Sequence, residues 1–376
     1  RPDRKRPMIA DLSLPTCHWG STVYTSEQVI SVPLGYDREA TSVGEPLHGH
    51  PDPHLRRALE RCGQVVVAFD GKLGDSLLAF GTLTAVTDAL ALFGRSIPLT
   101  TLGRYGRLYP TRKEAGPPTP SPRFVIGDEP GVALARPTGD DHVLLCRPEQ
   151  AHCRSDGRHV YPFLPARYYL AFEEHVGLRL PGGPPFLPSP HPDTVVSDIG
   201  ALTIAAVTAT SWPGRKDYGA ERFTTAARII GQATGHRVRL HLVSGHGETA
   251  HRARKTDTMW VEPVAGADLE TLSALFARCD LVMGNDTGLT HLAAFVSFKT
   301  EVIGLYGRHS HSKWRTGFPH HHVLATPFSE RMHRWDMCPV RDGLDESETG
   351  QGTPLSTITP DTLADIAVLA LEGEHT

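Results

Sequence analysis

Four short stretches hold the residue types that could do chemistry. The run Met283-Gly284-Asn285-Asp286-Thr287-Gly288-Leu289-Thr290-His291 joins a short apolar strand to a helix through a polar turn. Thr287 and Gly288 place backbone N–H groups and a hydroxyl at a helix start, which suits a phosphate. Asp286 can accept from ribose hydroxyls, and His291 lies one turn on. The purely structural alternative is an Asp/Thr cap with a surface histidine. It accounts less well for so many polar groups on one turn. A second stretch, Asp70-Gly71-Lys72-Leu73-Gly74-Asp75, follows a run of valines. Gly71 and Gly74 let the backbone turn tightly around Lys72 and approach a ligand. Asp75 is either a general base or only the cap of the helix that starts there. A third stretch, Thr210-Ser211 followed by Arg215-Lys216, sets hydroxyls and then cations after a strand, as a diphosphate site would; a solvated loop explains it equally well. A fourth, Ser244 to Glu248, offers a carboxylate at a strand end for a ribose or a base edge.

These stretches need elements to position them, and the apolar pattern supplies an α/β rhythm. Val65–Phe69 reads as a buried parallel strand, Asp75–Phe93 as a helix and Ile97–Leu102 as the next strand, which makes a βαβ unit. Short strands follow at 124–126, 132–135 and 142–146, with a helix at 168–176. Residues 181–193, PGGPPFLPSPHPD, interrupt this with repeated Pro and Gly and read as a linker. The rhythm then resumes with strand Leu202–Val207, helix Ala220–Thr234, strand Arg237–Val243, helix Leu269–Cys279, strand Leu281–Met283, helix Gly288–Phe295 and strand Val302–Tyr306. Thr359-Pro360 caps a last helix to about Leu371. The organisation expected is an N-terminal extension at 1–60, one α/β domain at 61–193 including the linker, and a second at 194–376. Residues 1–60 read as irregular, with a short helix at 55–62. In open α/β sheets ligands bind at the carboxyl ends of the strands, and all four stretches fall there.

Composition narrows the functions available. The chain has 376 residues, 39% hydrophobic and 21% charged, enough for buried cores. A formal charge of −4 argues against nucleic-acid binding by bulk electrostatics. No apolar run reaches a membrane-span length of roughly 18 residues, and Arg1–Asp11 lacks the apolar core of a signal peptide. The expected location is therefore the cytoplasm. Six dispersed cysteines form no CxxC pair, which suits a reducing compartment and predicts no metal site. Of 38 basic residues only seven are lysines, Lys72 and Lys216 among them, so a lysine here is more informative than usual. The histidines at 309, 311 and 320–322 read as a loop or rim. No GxxxxGK[ST] loop and no GxGxxG opening a helix is present, which argues against a P-loop enzyme and an NAD-dependent dehydrogenase.

The Gly71–Asp75 loop, the run Cys279–Ala294 and the downstream Val302–Gly307 together resemble glycosyltransferase family 9, the ADP-heptose:lipopolysaccharide heptosyltransferases. The likeness spans roughly residues 64–330 in order and spacing. It implies a GT-B fold, two Rossmann-like domains with an interdomain cleft, in which the N-terminal half takes the acceptor and the C-terminal half the nucleotide sugar. By the same resemblance Asp75 is the general base, and Gly71, Lys72 and Gly74 form the acceptor-side loop. Thr210, Ser211, Arg215 and Lys216 contact the diphosphate. Glu248 is the ribose-side carboxylate, and Asp286, Thr287, Gly288 and His291 form the donor turn. Gly266–Leu269, with Ala267, lies by the base.

The expected reaction is inverting, metal-independent transfer of a sugar, with ADP-heptose as the leading donor. No DxD motif is present, and no cofactor beyond the nucleotide sugar is expected. The sequence departs from the family pattern at Lys216-Asp217-Tyr218, where Trp212-Pro213 lies upstream of the lysine, and at Gly307–His311. Both bear on donor and acceptor choice. The acceptor expected is a natural-product saccharide or nucleoside rather than lipopolysaccharide. Two other readings stay open: a nucleotide-sugar epimerase or hydrolase of the same fold, which needs no acceptor, and a non-catalytic nucleotide-sugar-binding protein.

Overall fold

The structure is a computed structural model, and it describes residues 20–24, 29–33, 64–68, 72–78, 99–102, 105, 141–144, 200–245, 247, 251–297, 299–308, 315–316, 318, 320–329 and 354–373. The chain forms two compact units, Gly35–Pro190 and Arg1–Leu34 with His191–Thr376. In the first, strand β3 (Gln64–Ala68) lies between β4 (Leu99–Leu102) and β5 (Asp141–Leu144), and all pairings are parallel. Residues 73–78 are helical and bury Ser76, Leu77 and Leu78. This is the strand–turn–helix expected from the valine run. The helix starts earlier than expected and takes in Gly74, which therefore serves a helical turn and not a loop. The expected strands at 124–126 and 132–135 and the helices at 55–62 and 168–176 lie outside the described residues.

The second unit is a nine-stranded sheet. Its strands are β1 (Gly20–Tyr24), β2 (Val29–Pro33), β6 (Ala201–Val207), β7 (Arg237–Val243), β8 (Arg254–Lys255), β9 (Met259–Val264), β10 (Leu281–Asn285), β11 (Glu301–Tyr306) and β12 (His321–Ala325), in the order β2-β1-β12-β11-β10-β6-β7-β9-β8. Only the outer pairs β1/β2 and β8/β9 are antiparallel. Numbered along the chain from β6, the six inner strands run 3-2-1-4-5-6 across the sheet, the order of doubly wound nucleotide-binding folds. Strand order reverses between β6 and β10, the position at which folds of this kind bind their ligands.

Helices cover both faces. After α1 (Pro213–Lys216), helix α2 (Ala220–Thr234) buries Phe223, Ala226, Ala227 and Ile230, a spacing that puts one stripe on the sheet. Gly235, at φ 73°, ends it in the left-handed region, its N–H bonding to the Gly231 carbonyl. Helix α5 (Pro360–Leu371) joins α2 over the same core, with Leu281, Met283, Ile303, Leu305 and Leu324 beneath them. Thr359 caps α5 by accepting from the Thr362 N–H. The opposite face carries α3 (Leu269–Phe276) and α4 (Gly288–Val296). Gly284 and Gly304 are cross-strand partners in β10 and β11. A Cβ at Gly284 would collide with Thr290 Oγ1 and lie 2.9 Å from Val207 Cβ, so glycine here lets α4 sink onto the sheet.

Five strands depart from the reading of the sequence, β1, β2, β8, β9 and β12. β1 and β2 fall in the segment read as irregular, and β1 extends the sheet by parallel pairing with β12. β9 carries Pro263, a residue that sheets admit only where its missing N–H is not needed. Its partner β8 stops at Arg254↔Val261, so nothing on that side needs an N–H from residue 263. The histidine segment 320–322, read as a rim, is buried, and His321 and His322 begin the inner strand β12.

Candidate functional site

The carboxyl ends of β6, β7, β9 and β10 lead into residues 208–216, 244–247, 265–268 and 286–288. Parallel register therefore gathers three of the four polar stretches, and Ala267, on one edge of the sheet. Asn285 holds two of them together. Its Oδ1 accepts from Tyr218 N–H at 3.0 Å and its Nδ2 donates to the Thr208 carbonyl at 3.1 Å, which also fixes the amide orientation. The side chain is fully buried. Thr208 and Tyr218 bracket the loop bearing Thr210, Ser211, Arg215 and Lys216, so one amide ties that loop to the end of β10. Thr208 is anchored from the other side as well. Its hydroxyl donates to the Val243 carbonyl at 3.0 Å and so receives its 3.0 Å bond from His251 Nε2 as an N–H.

Lys216 Nζ lies 2.8 Å from Asp286 Oδ2 and 3.4 Å from the Asp286 carbonyl oxygen. The two side chains are 12% and 5% exposed, so the pair is largely dry. A dry ion pair is held by geometry, and losing one partner strands the other. The lysine is thus fixed beside the α4 start, where backbone N–H groups and the positive end of the helix dipole already favour an anion. Thr287 begins α4 with extended backbone, φ −142° and ψ 162°, and its side chain makes no capping bond. Among the described residues its Oγ1 has no hydrogen-bond partner. The first turn closes through His291 N–H to the Thr287 carbonyl at 3.2 Å, and Thr290 Oγ1 donates to the Asn285 carbonyl at 2.6 Å. His291 is buried, so it is not the surface histidine of the structural alternative.

The other expected residues are placed as follows. Thr210 Oγ1 accepts from Trp212 N–H at 3.1 Å and shapes the bend at Ser211, which is exposed. Trp212 beside it is 46% exposed. The backbone of Arg215 lies in α1. Ala267 directly precedes Asp268, which caps α3 through Thr271 N–H at 2.7 Å; the Thr271 hydroxyl first, and then that N–H, hold the Asp268 carboxyl below its usual range. Gly71 and Glu248 lie outside the described residues. In the other unit, Asp75 Oδ2 accepts from Lys72 N–H at 3.2 Å, the backward reach of a residue in the first helical turn, and Lys72 is exposed.

Several residues were not anticipated. Beneath α4, His321 is fully buried and accepts at Nδ1 from Thr316 N–H at 3.3 Å, with the Thr316 hydroxyl 2.7 Å away. Burial first, then His291, His320, His322 and Arg315, push its pKa well below the usual histidine value, so the ring is neutral. Tyr306 is held well above the usual tyrosine range by burial and by nearby Asp286, against the opposing effect of Arg315. Asn285 was visible as the neighbour of Asp286; the histidines were visible only as a composition. Among the described residues no helix is long and apolar enough to cross a membrane.

Residues 172–334 match the family model of glycosyltransferase family 9 (heptosyltransferase). No curated protein matches the chain. Among solved structures, E. coli heptosyltransferase WaaC with ADP is similar at 15% identity over 82% of this chain and 99% of that one, with a TM-score of 0.50. A family 9 glycosyl transferase from Veillonella parvula is similar at 16% identity over 82% and 97%, with a TM-score of 0.52. The resemblance carried by the motifs is thus borne out: the chain has the GT-B fold, and residues 172–334 match the glycosyltransferase family 9 (heptosyltransferase) model.

Proposed function

We propose that the protein transfers a sugar, with inversion and without a metal, from a nucleoside diphosphate donor to an acceptor hydroxyl, and that the donor is ADP-linked, with heptose as the leading sugar. The observation that carries this is the 2.8 Å approach of Lys216 to Asp286 at the point where strand order reverses. It joins a cation to the helix start that suits a phosphate. The similar E. coli protein was solved with ADP, which supports an adenine nucleotide. In the step itself the acceptor oxygen attacks the anomeric carbon while a carboxylate, assigned to Asp75, takes its proton. The bond from that carbon to the phosphate oxygen breaks, and the nucleoside diphosphate leaves with the electron pair. Lys216, Arg215 and the N–H groups at the start of α4 offset its growing charge. The acceptor is a natural-product saccharide or nucleoside; transfer to a lipopolysaccharide core and to no soluble alcohol would count against this part.

Thermal shift with ADP, UDP, GDP and dTDP is the first test, because a ligand that binds only the folded state raises the melting temperature by mass action. ADP is expected to give the largest rise. Equal small shifts for all four would remove the donor assignment. Product formed from donor alone would point to a hydrolase or epimerase.

A further inference from the structure

The histidine run 320–322 is the one motif that the donor seat does not absorb, and it lies directly under it. Register separates its members. Val302 pairs with His321, and Ile303 pairs with His322. Alternation along the strand therefore turns His321 to the face covered by α4, and His322 to the face covered by α2 and α5. The contacts agree. His322 Nε2 meets Glu301 Oε2 at 2.6 Å on the α2/α5 face. The His321 ring stands perpendicular to that of His291 on α4, with centroids 6.1 Å apart.

The chemistry of His321 fixes which way it presents itself. Thr316 N–H donates to Nδ1, so the neutral ring carries its proton on Nε2. That nitrogen is buried and has no hydrogen-bond partner among the described residues. Room for it comes from Gly304. A Cβ there would sit 3.0 Å from His321 Nε2 and 2.9 Å from Tyr306 Cε2. Gly304 therefore lets an imidazole and a phenol lie side by side under the donor turn. One of these rings abuts His291; the other is within electrostatic reach of Asp286. The ionisable groups around His321 are His291 on α4, His320 and His322 on its own strand, and Arg315 on the preceding loop.

We infer that His321 is a positioning residue for the donor site: packed into the space left by Gly304, it sets the ring of His291 and through it the grip of the α4 turn on a nucleoside diphosphate. The inference rests on the donor reading above and deepens it.

The test uses whichever of ADP, UDP, GDP and dTDP stabilises the wild-type protein, titrated calorimetrically. His321→Asn keeps an acceptor for Thr316 and removes the ring edge. Affinity is expected to fall roughly five- to tenfold, within the range of couplings between contacting residues. His322→Gln, equally buried on the opposite face, is expected to lower the melting temperature similarly and to leave affinity within about twofold. In a His291→Ala background, His321→Asn should cause no further loss. Gly304→Ala should reproduce the loss of affinity. An equal loss in His322→Gln, or losses in the His291/His321 double variant that multiply, would overturn the inference. If the wild-type protein binds none of the four diphosphates, the donor reading fails and this inference falls with it. Wild-type binding with multiplying losses leaves the donor reading standing and removes His321 alone.

Discussion

The two strand–turn–helix units, β3 with residues 73–78 and β10 with α4, place an aspartate near the start of a helix in different ways. Asp75 reaches back three residues to the Lys72 N–H. Asp286 reaches across 70 residues to Lys216. The first bond is local and half-exposed, so the helix can lose it cheaply. The second joins two loops in a dry environment, so both loops depend on it. A local carboxylate is replaceable as structure, and any large effect of removing it must come from chemistry. For a long-range buried carboxylate, structure and binding fail together.

Asp75→Asn breaks this comparison at its most sensitive point. Turnover should fall by roughly 10²–10⁴, the contribution of a general base. Stability should move by less than about 1 kcal/mol, because the amide oxygen of asparagine can still accept from the Lys72 N–H. Near-normal turnover, measured in the same preparation as an unchanged urea midpoint, would return Asp75 to a capping role.

The opposite pattern is expected of Asp286→Ala. Leaving Lys216 buried and unpaired should destabilise the fold by about 3–5 kcal/mol, read as a shifted denaturation midpoint, and diphosphate affinity should fall with it. Replacing both members together, Lys216→Met with Asp286→Leu, should recover most of the stability and none of the binding. Recovery of binding would show that the pair only holds the fold together.

A smaller effect is expected of Gly284→Ala. The new methyl group would press on Thr290 Oγ1 and on Val207. Overpacking of this kind should destabilise by roughly 1–3 kcal/mol and lift α4 from the sheet, so weaker diphosphate binding should accompany the loss. An unaltered melting temperature would show that the helix is not seated on that glycine.

The smallest expected effect is a pH slope. His321 is held neutral below the usual histidine range, whereas the unfolded chain protonates near pH 6.5. As pH falls below that value the unfolded state takes up a proton that the native ring refuses. Stability should then drop by about 1.4 kcal/mol per pH unit for each such histidine. His241, lowered first by burial, adds to the slope. His321→Asn should flatten it in urea titrations at pH 7 and pH 5.5. An unchanged slope would mean that His321 protonates in the native state.

How much of this was legible beforehand depended on the range of the interactions. Helix α2 and strand β7 have the bounds expected from the apolar pattern, because that signal is local. Strand β12 did not show, because three histidines hide a buried strand until its partners and the helix over it are known. β9 did not show because Pro263 is tolerable only where β8 has ended. In the site, the polar turn after β10 was readable as a motif. The Asn285 bridge to Thr208 and Tyr218 and the Lys216–Asp286 pair were not, since each spans some 70 residues of chain and only the strand order brings them together.

The proposed seat for a nucleoside diphosphate is made by Lys216 and the start of α4, at the strand-order reversal between β6 and β10. Calorimetric titration of ADP into the wild-type protein and into the Lys216→Met, Asp286→Leu double variant tests it most directly. One site is expected in the wild type, with affinity at least about tenfold weaker in the variant, a loss of roughly 1.4 kcal/mol or more. Equal affinity in the two proteins, with both folded, would contradict it.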